Sequence, residues 1–179
     1  MNAITPADEA ERQRIFSERA KLLAREPEQH EAAEELIDII EFILSGEQYA
    51  IESAYVSTVH SLTELTQLPC TPPFVLGVVN MRGKIVSVVD LRVFFDLPRR
   101  ALSDLNMLIV LENETMKFAI LADVIVGTRR IPWTSLLAAL PTRTRIRAEY
   151  LLGITRERLV VLDGGKLLCD KSMVVHEEV

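Results

Sequence analysis

From residue 38 onward the apolar residues come in short runs, each bounded by residues that favour turns. These runs predict strands at Ile39–Leu44, Gln48–Ser53, Val56–Ser61, Gly77–Met81 and Ile85–Val89. A second set follows at Leu108–Glu112, Lys117–Ala122, Val124–Arg130, Leu151–Ile154 and Leu159–Leu162. Short apolar segments at close spacing read as strands of small all-β units rather than a parallel α/β sheet. Ser45-Gly46-Glu47 and Asn113-Glu114-Thr115 supply turns for the two opening hairpins. Residues 5–25 follow a helical period. Thr5, Pro6 and Asp8 form an N-terminal signature, and Ile15, Phe16, Leu22 and Leu23 gather on one face. Pro27 interrupts that helix, and residues 28–37 resume it. The apolar face either packs on its own domain or docks on a partner.

The two sets of strands repeat one another. Phe74 to Asp90 runs aromatic, aliphatic pair, Gly77, polar turn, aliphatic run, Asp90. Tyr150 to Asp163 does the same around Gly153. The opening hairpins also correspond, Phe42-Ile43-Leu44 and Tyr49-Ala50-Ile51 to Ile109-Val110-Leu111 and Phe118-Ala119-Ile120, and Leu68-Pro69 corresponds to Leu140-Pro141. Such duplication predicts two small β-barrels side by side, five strands to each copy. A short helix over Asp90–Leu97, ended by Pro98, separates the copies.

Charge changes the picture only at the N-terminus. Of the net −6, residues 1–36 hold nine acids against five Lys and Arg, so the rest is nearly neutral. That balance disfavours nucleic acid as a general partner. Cys70 and Cys169 stand far apart with no metal-ligand spacing. No basic start with an apolar stretch opens the chain, and no apolar run is long enough to span a bilayer. The expected compartment is the cytoplasm, without membrane insertion.

Candidate chemistry is sparse. His30, His60 and His176 are scattered, no local nucleophile–base arrangement appears, and Gly164-Gly165 reads as a turn rather than a phosphate cradle. Asp90 and Asp163 read as caps of following helical turns rather than a catalytic pair. Arg143, Arg145 and Arg147 alternate, and with Arg129 and Arg130 could form a basic patch, solvated or facing a protein. Neither catalysis, metal nor cofactor is expected. Asn80-Met81-Arg82-Gly83 is more pointed: it puts a guanidinium at the tip of an apolar hairpin, with Gly83 free to take a positive φ. Arg82 either links a neighbouring loop or contacts a partner.

Together these segments resemble the CheW family of chemotaxis coupling proteins. The resemblance covers about residues 40–168 and is carried by Phe42 to Ile51, Leu68 to Gly83, Ile85 to Arg92, Leu121 to Val124, Tyr150 to Gly153 and Leu159 to Asp163. It implies a mainly β fold of two intertwined five-stranded SH3-like barrels over residues 37–179, preceded by a helical extension over residues 1–36. It also implies a non-enzymatic adaptor joining the cytoplasmic tip of methyl-accepting chemoreceptors to the regulatory domain of a CheA-type histidine kinase. That kinase domain is itself CheW-like in such proteins. Val56 matches a valine of the receptor-facing strand, Gly77 the glycine opening the hairpin, and Arg82 the arginine of the Asn-x-Arg-Gly turn formed with Asn80 and Gly83. Thr58 stands where the family often has glutamate, and His60 where many members carry a basic residue. A non-flagellar output, such as pilus motility or second-messenger control, fits equally. A nucleic-acid-binding pair of barrels is the reading from another class.

Overall fold

The computed structural model describes residues 35–98, 106–138 and 146–173. The helix expected at 5–25 therefore lies outside the described residues, as do His30, Leu140, Pro141, Arg143, Arg145 and His176. The order is β1 (Leu36–Leu44), β2 (Glu47–Glu52), β3 (Val56–Ser61), β4 (Val75–Met81), β5 (Lys84–Val89) and α1 (Leu91–Phe94). Then come β6 (Met107–Glu112), β7 (Lys117–Ala122), β8 (Val124–Pro132), β9 (Leu151–Ile154), β10 (Val160–Leu162) and α2 (Gly164–Cys169). All ten expected strands are present. The helix resumed from residue 28 does not reach 37, because Leu36 already pairs with Pro132.

The grouping into sequential barrels needs correcting. One sheet, here barrel A, has the order β8-β1-β2-β10-β9, and the other, barrel B, has β3-β6-β7-β5-β4. Each opening hairpin is thus built into the barrel formed by the other copy's last three strands, which is the interlacing the family resemblance implied. The linkers explain this. Only Asp123 separates β7 from β8, and only the 3-10 turn Ser53–Tyr55 separates β2 from β3. A hairpin generally needs at least two loop residues, so Asp123 alone carries the chain out of one sheet and into the next. The two orders are the same once β1–β5 are exchanged for β6–β10. Tyr49, Ala50 and Ile51 pair in parallel with Val160, Val161 and Leu162, as Phe118, Ala119 and Ile120 do with Ser87, Val88 and Val89. A bridge closes each barrel, Thr66 to Val78 in one and Leu137 to Ile154 in the other.

The hairpin strands are buried on both faces. Ile40, Phe42, Leu44, Ile109 and Leu111 enter a core shared by the barrels. Their neighbours Leu108 and Val110 fill barrel B, and Ile37 and Ile39 fill barrel A. Asp90 and Asp163 are caps, accepting from the backbone N–H of Arg92 at 2.9 Å and Lys166 at 2.8 Å. After α1, Asp96 takes a φ of 54°. The N–H of Leu97 then reaches the carbonyl of Arg92 at 2.7 Å, a Schellman ending with Asp96 in the place glycine usually takes. Gly164-Gly165 opens α2 instead of forming a turn. The Tyr55 ring lies over both, so close that a Cβ on Gly164 would meet it at 2.7 Å.

A buried ion network fastens the barrels together. Arg92 is 1% exposed and clasps both oxygens of Asp90, Nε to Oδ1 at 2.8 Å and Nη2 to Oδ2 at 2.9 Å. Its Nη1 reaches Asp123 Oδ1 at 3.4 Å. Asp123 Oδ2 accepts from the backbone N–H of Ser45, in the β1–β2 turn, at 2.8 Å. Beside it Phe94 packs edge-on to Phe74 and Tyr150, the equivalent aromatics of the two copies. The Tyr150 hydroxyl donates to Asp170 and is pushed up to about 12, first by burial and then by that hydrogen bond.

Candidate functional site

The β4–β5 hairpin is the outstanding projection of barrel B. Met81 pairs with Lys84, which leaves Arg82 and Gly83 as a two-residue loop with φ of 54° and 80°. Positive φ at both central residues is what a type I′ turn requires. The sequence pointed to Gly83 for this conformation, and the structure adds Arg82. A non-glycine residue held there costs about 1–2 kcal/mol. Asn80 holds the turn, its Oδ1 accepting from the Gly83 N–H at 2.9 Å. The Arg82 side chain is exposed and makes no hydrogen bond or ion pair among the described residues. The internal-link reading therefore finds no partner within them.

Gly77 acts beneath this surface. It is buried, with a φ of 145° and a Cβ position 2.1 Å from the Thr66 carbonyl oxygen. Only glycine lets β4 approach the returning chain closely enough for the paired bonds of Thr66 and Val78, 2.9 and 2.8 Å long. Its place is to set the hairpin's angle.

Val56 and Thr58 lie on β3, the other edge strand of the same sheet. A bulge between them makes Ser57 the extra residue against β6, and bulges re-aim the side chains around them. Val56 packs half-buried against the shared core. Glu112 accepts from Lys117 Nζ at 2.7 Å, and that hydrogen bond is the first cause holding its carboxyl below the ordinary value. Val56 pairs with Leu111, Glu112 with Lys117, and Ser87, three residues after Lys84, with Phe118, so the start of β3 and the Arg82 turn lie toward one end of barrel B. His60 lies farther along β3, opposite Leu108.

Sequence reasoning missed Ile85. It is 67% exposed, the most exposed large apolar residue described, and pairs with Asn80 beside the turn. It borders a groove of about 400 Å³ lined also by Thr63, Glu64, Thr66 and Val78. The signal was parity, since Val86 and Val88 point inward and Ile85 must point out. The equivalent hairpin of barrel A is shorter. Thr155 bonds directly to Leu159 at 3.0 Å, the place that Val79 and Val86 take in barrel B, with three residues between instead of six. The longer tip belongs to one barrel only, although the short turn of barrel A also holds an exposed arginine, Arg158, at a positive φ of 68°. Among the described residues no three His, Cys, Asp or Glu gather to hold a metal, and no helix is long and apolar enough to cross a membrane.

A family model described as the CheW-like domain matches residues 38–172. Chemotaxis protein CheW of Klebsiella aerogenes is 30% identical over 141 residues, covering 77% of this chain and 85% of that protein. The Treponema pallidum protein of the same name is 27% identical over 147 residues, covering 78% and 86%. Protein FrzA of Myxococcus xanthus is 33% identical over 109 residues, 58% of this chain and 68% of that one. The crystal structure of scaffolding protein TtCheW from Thermoanaerobacter tengcongensis superposes with a TM-score of 0.64 at 26% identity, over 75% of this chain and 88% of that one.

Proposed function

The chain belongs to the CheW-like domain family and is a CheW-like scaffolding adaptor of chemotaxis, and from that premise we propose that it joins chemoreceptor tips to the regulatory domain of a CheA-type histidine kinase. It does so in the cytoplasm and without catalysis. The β4–β5 tip contacts one partner through Arg82 and Ile85, on a hairpin set by Gly77, Asn80 and Gly83. The start of β3, with Val56 and Thr58, faces the receptor. Thr58 brings no charge to that contact, so its affinity rests on apolar burial and depends little on salt.

The observation that carries this reading is an exposed arginine, without a partner among the described residues, in a backbone conformation that asparagine or glycine would adopt at lower cost. Strain kept at such a place is a reason to look for function. Calorimetry of the full chain with the regulatory domain of the kinase and with a receptor-tip fragment, both from the same organism, is the test. Wild type should bind both. Arg82→Asn should melt no lower than wild type, because strain is relieved and no described bond is lost, yet bind one partner at least tenfold more weakly. A fall of about 1–3 kcal/mol in stability, as expected when a buried partner is stranded, would restore the internal-link reading. Absence of binding to both partners by the folded wild type would overturn the proposal.

A further inference from the structure

Barrel A carries a groove at the place equivalent to the one beside Ile85. On one side stand Arg129, Arg130 and Thr134, and on the other Thr155, Arg156 and Glu157, enclosing about 440 Å³. Its charge runs against that of the chain, which is net −6. Arg129 contacts Glu41 at 2.7 Å and Glu157 at 3.1 Å, and Arg130 contacts Asp38 at 2.8 Å. Arg156 and Arg158 are exposed and have no ion pair among the described residues. Their backbone is fixed, because the Thr155 carbonyl accepts from the Arg158 N–H at 3.0 Å and its hydroxyl accepts from the Leu159 N–H at 3.3 Å. Glu157 is 72% exposed, and an ion pair so open to water contributes little, so an incoming carboxylate can replace it on Arg129.

We propose that this groove docks an acidic, extended segment of a partner protein. The arginines come from two separate segments, Arg129 and Arg130 on β8 and Arg156 in the β9–β10 turn, with Arg158 two residues beyond it in the same turn, which suits charges spaced along a peptide. Carboxylates of that segment pair with Arg156 and Arg158, and one takes the place of Glu157. The site goes beyond the adaptor reading and does not depend on Arg82.

Trp133, the chain's single tryptophan, is 37% exposed and adjoins in sequence Pro132 and Thr134, which line the groove, so its emission is the readout of occupancy. The full chain would be titrated with an acetylated deca-glutamate peptide at low salt, and in parallel with an oligothymidylate of equal length. A saturable change with the peptide is expected, unaltered in Arg82→Ala and weakened about tenfold or more in Arg156→Glu/Arg158→Glu, whose melting temperature should match wild type. No saturable change, equal binding by the double variant, or tighter binding of the oligothymidylate would each overturn the proposal. Kinase and receptor binding are read separately, so loss of one result leaves the other standing.

Discussion

Removing the Arg92 guanidinium should be among the most damaging single changes outside the apolar core. Arg92 is 1% exposed, and Asp90 4%. In Arg92→Met the volume is largely kept, but both oxygens of Asp90 lose their charged donors, bonded at 2.8 and 2.9 Å. Asp123 loses the weaker contact at 3.4 Å and keeps the Ser45 N–H. Stranding a buried carboxylate in this way costs about 3–5 kcal/mol, a third or more of a typical domain stability of about 5–15 kcal/mol. Urea unfolding followed by circular dichroism reads it as a lower midpoint at unchanged slope. Asp90→Asn placed on top should recover part of the loss, since the amide oxygen still caps α1 while the unpaired charge is gone. A double-mutant coupling of about 1–3 kcal/mol is expected for residues in one network. A loss below about 1 kcal/mol in Arg92→Met, or no recovery in the double variant, would refute the claim that this network fastens the barrels.

Gly77→Ala should destabilise by about 3 kcal/mol in the same assay, from two bridge hydrogen bonds at about 1 kcal/mol each and the penalty for a positive φ. Gly83→Ala, with open space around its Cβ, should cost only the conformational penalty of about 1–2 kcal/mol. Asp163→Ala should cost about 1 kcal/mol as a lost cap, seen as a lower melting temperature. Glu52 has its carboxyl pushed up by burial, opposed by the Gly164 N–H and raised further by Asp163. A raised carboxyl pKa means the charged form is disfavoured in the folded state, a cost fully present above the folded pKa and gone below the unfolded value. Glu52→Gln should therefore melt slightly higher than wild type at pH 7 and no higher at pH 4.

Strand positions were legible because turn residues bracket each run, and Asp90 and Asp163 were legible as caps because an acid directly before a helical turn has one ordinary use. Strand partnership was not legible from local pattern. β6 and β7 are apolar on both faces, so Leu108 to Leu111 and Phe118 to Ala122 give no alternation that assigns a side. The signal that could have corrected the grouping was linker length: the single residue Asp123 cannot turn a hairpin. Arg92 left no signal, since arginine is normally a surface residue and its burial follows only from the meeting of two barrels. Gly164-Gly165 was misread because glycine more often ends a helix than opens one, and the reason for it, the Tyr55 ring, is distant in sequence. Of the site, the turn chemistry of Arg82 and Gly83 was visible, whereas the placing of β3 and that turn toward one end of the barrel depends on the pairing of β3, β6, β7 and β5.

The exchange of hairpins bears on how an adaptor of this shape can work. β5 carries the Arg82 turn and pairs in parallel with β7. β7 runs through Asp123 into β8, which lines the arginine groove of barrel A. One continuous stretch, β7 through β8, therefore runs from the strand paired with the Arg82 hairpin to the arginine groove, and Asp123, its corner, is gripped by Arg92 and the Ser45 N–H. Separate barrels on a flexible linker could reorient independently. These cannot, because each would have to release two strands and open the shared core around Phe42, Leu111 and Phe118. The two surfaces are thus held at a fixed angle, and in such an adaptor any coupling between bound partners would come from contacts they make with each other in that geometry rather than from movement inside it. Coupling of this kind is reciprocal, each partner changing the other's affinity by the same factor, and it is the Asp123 corner, not either contact surface, whose loosening should reduce it.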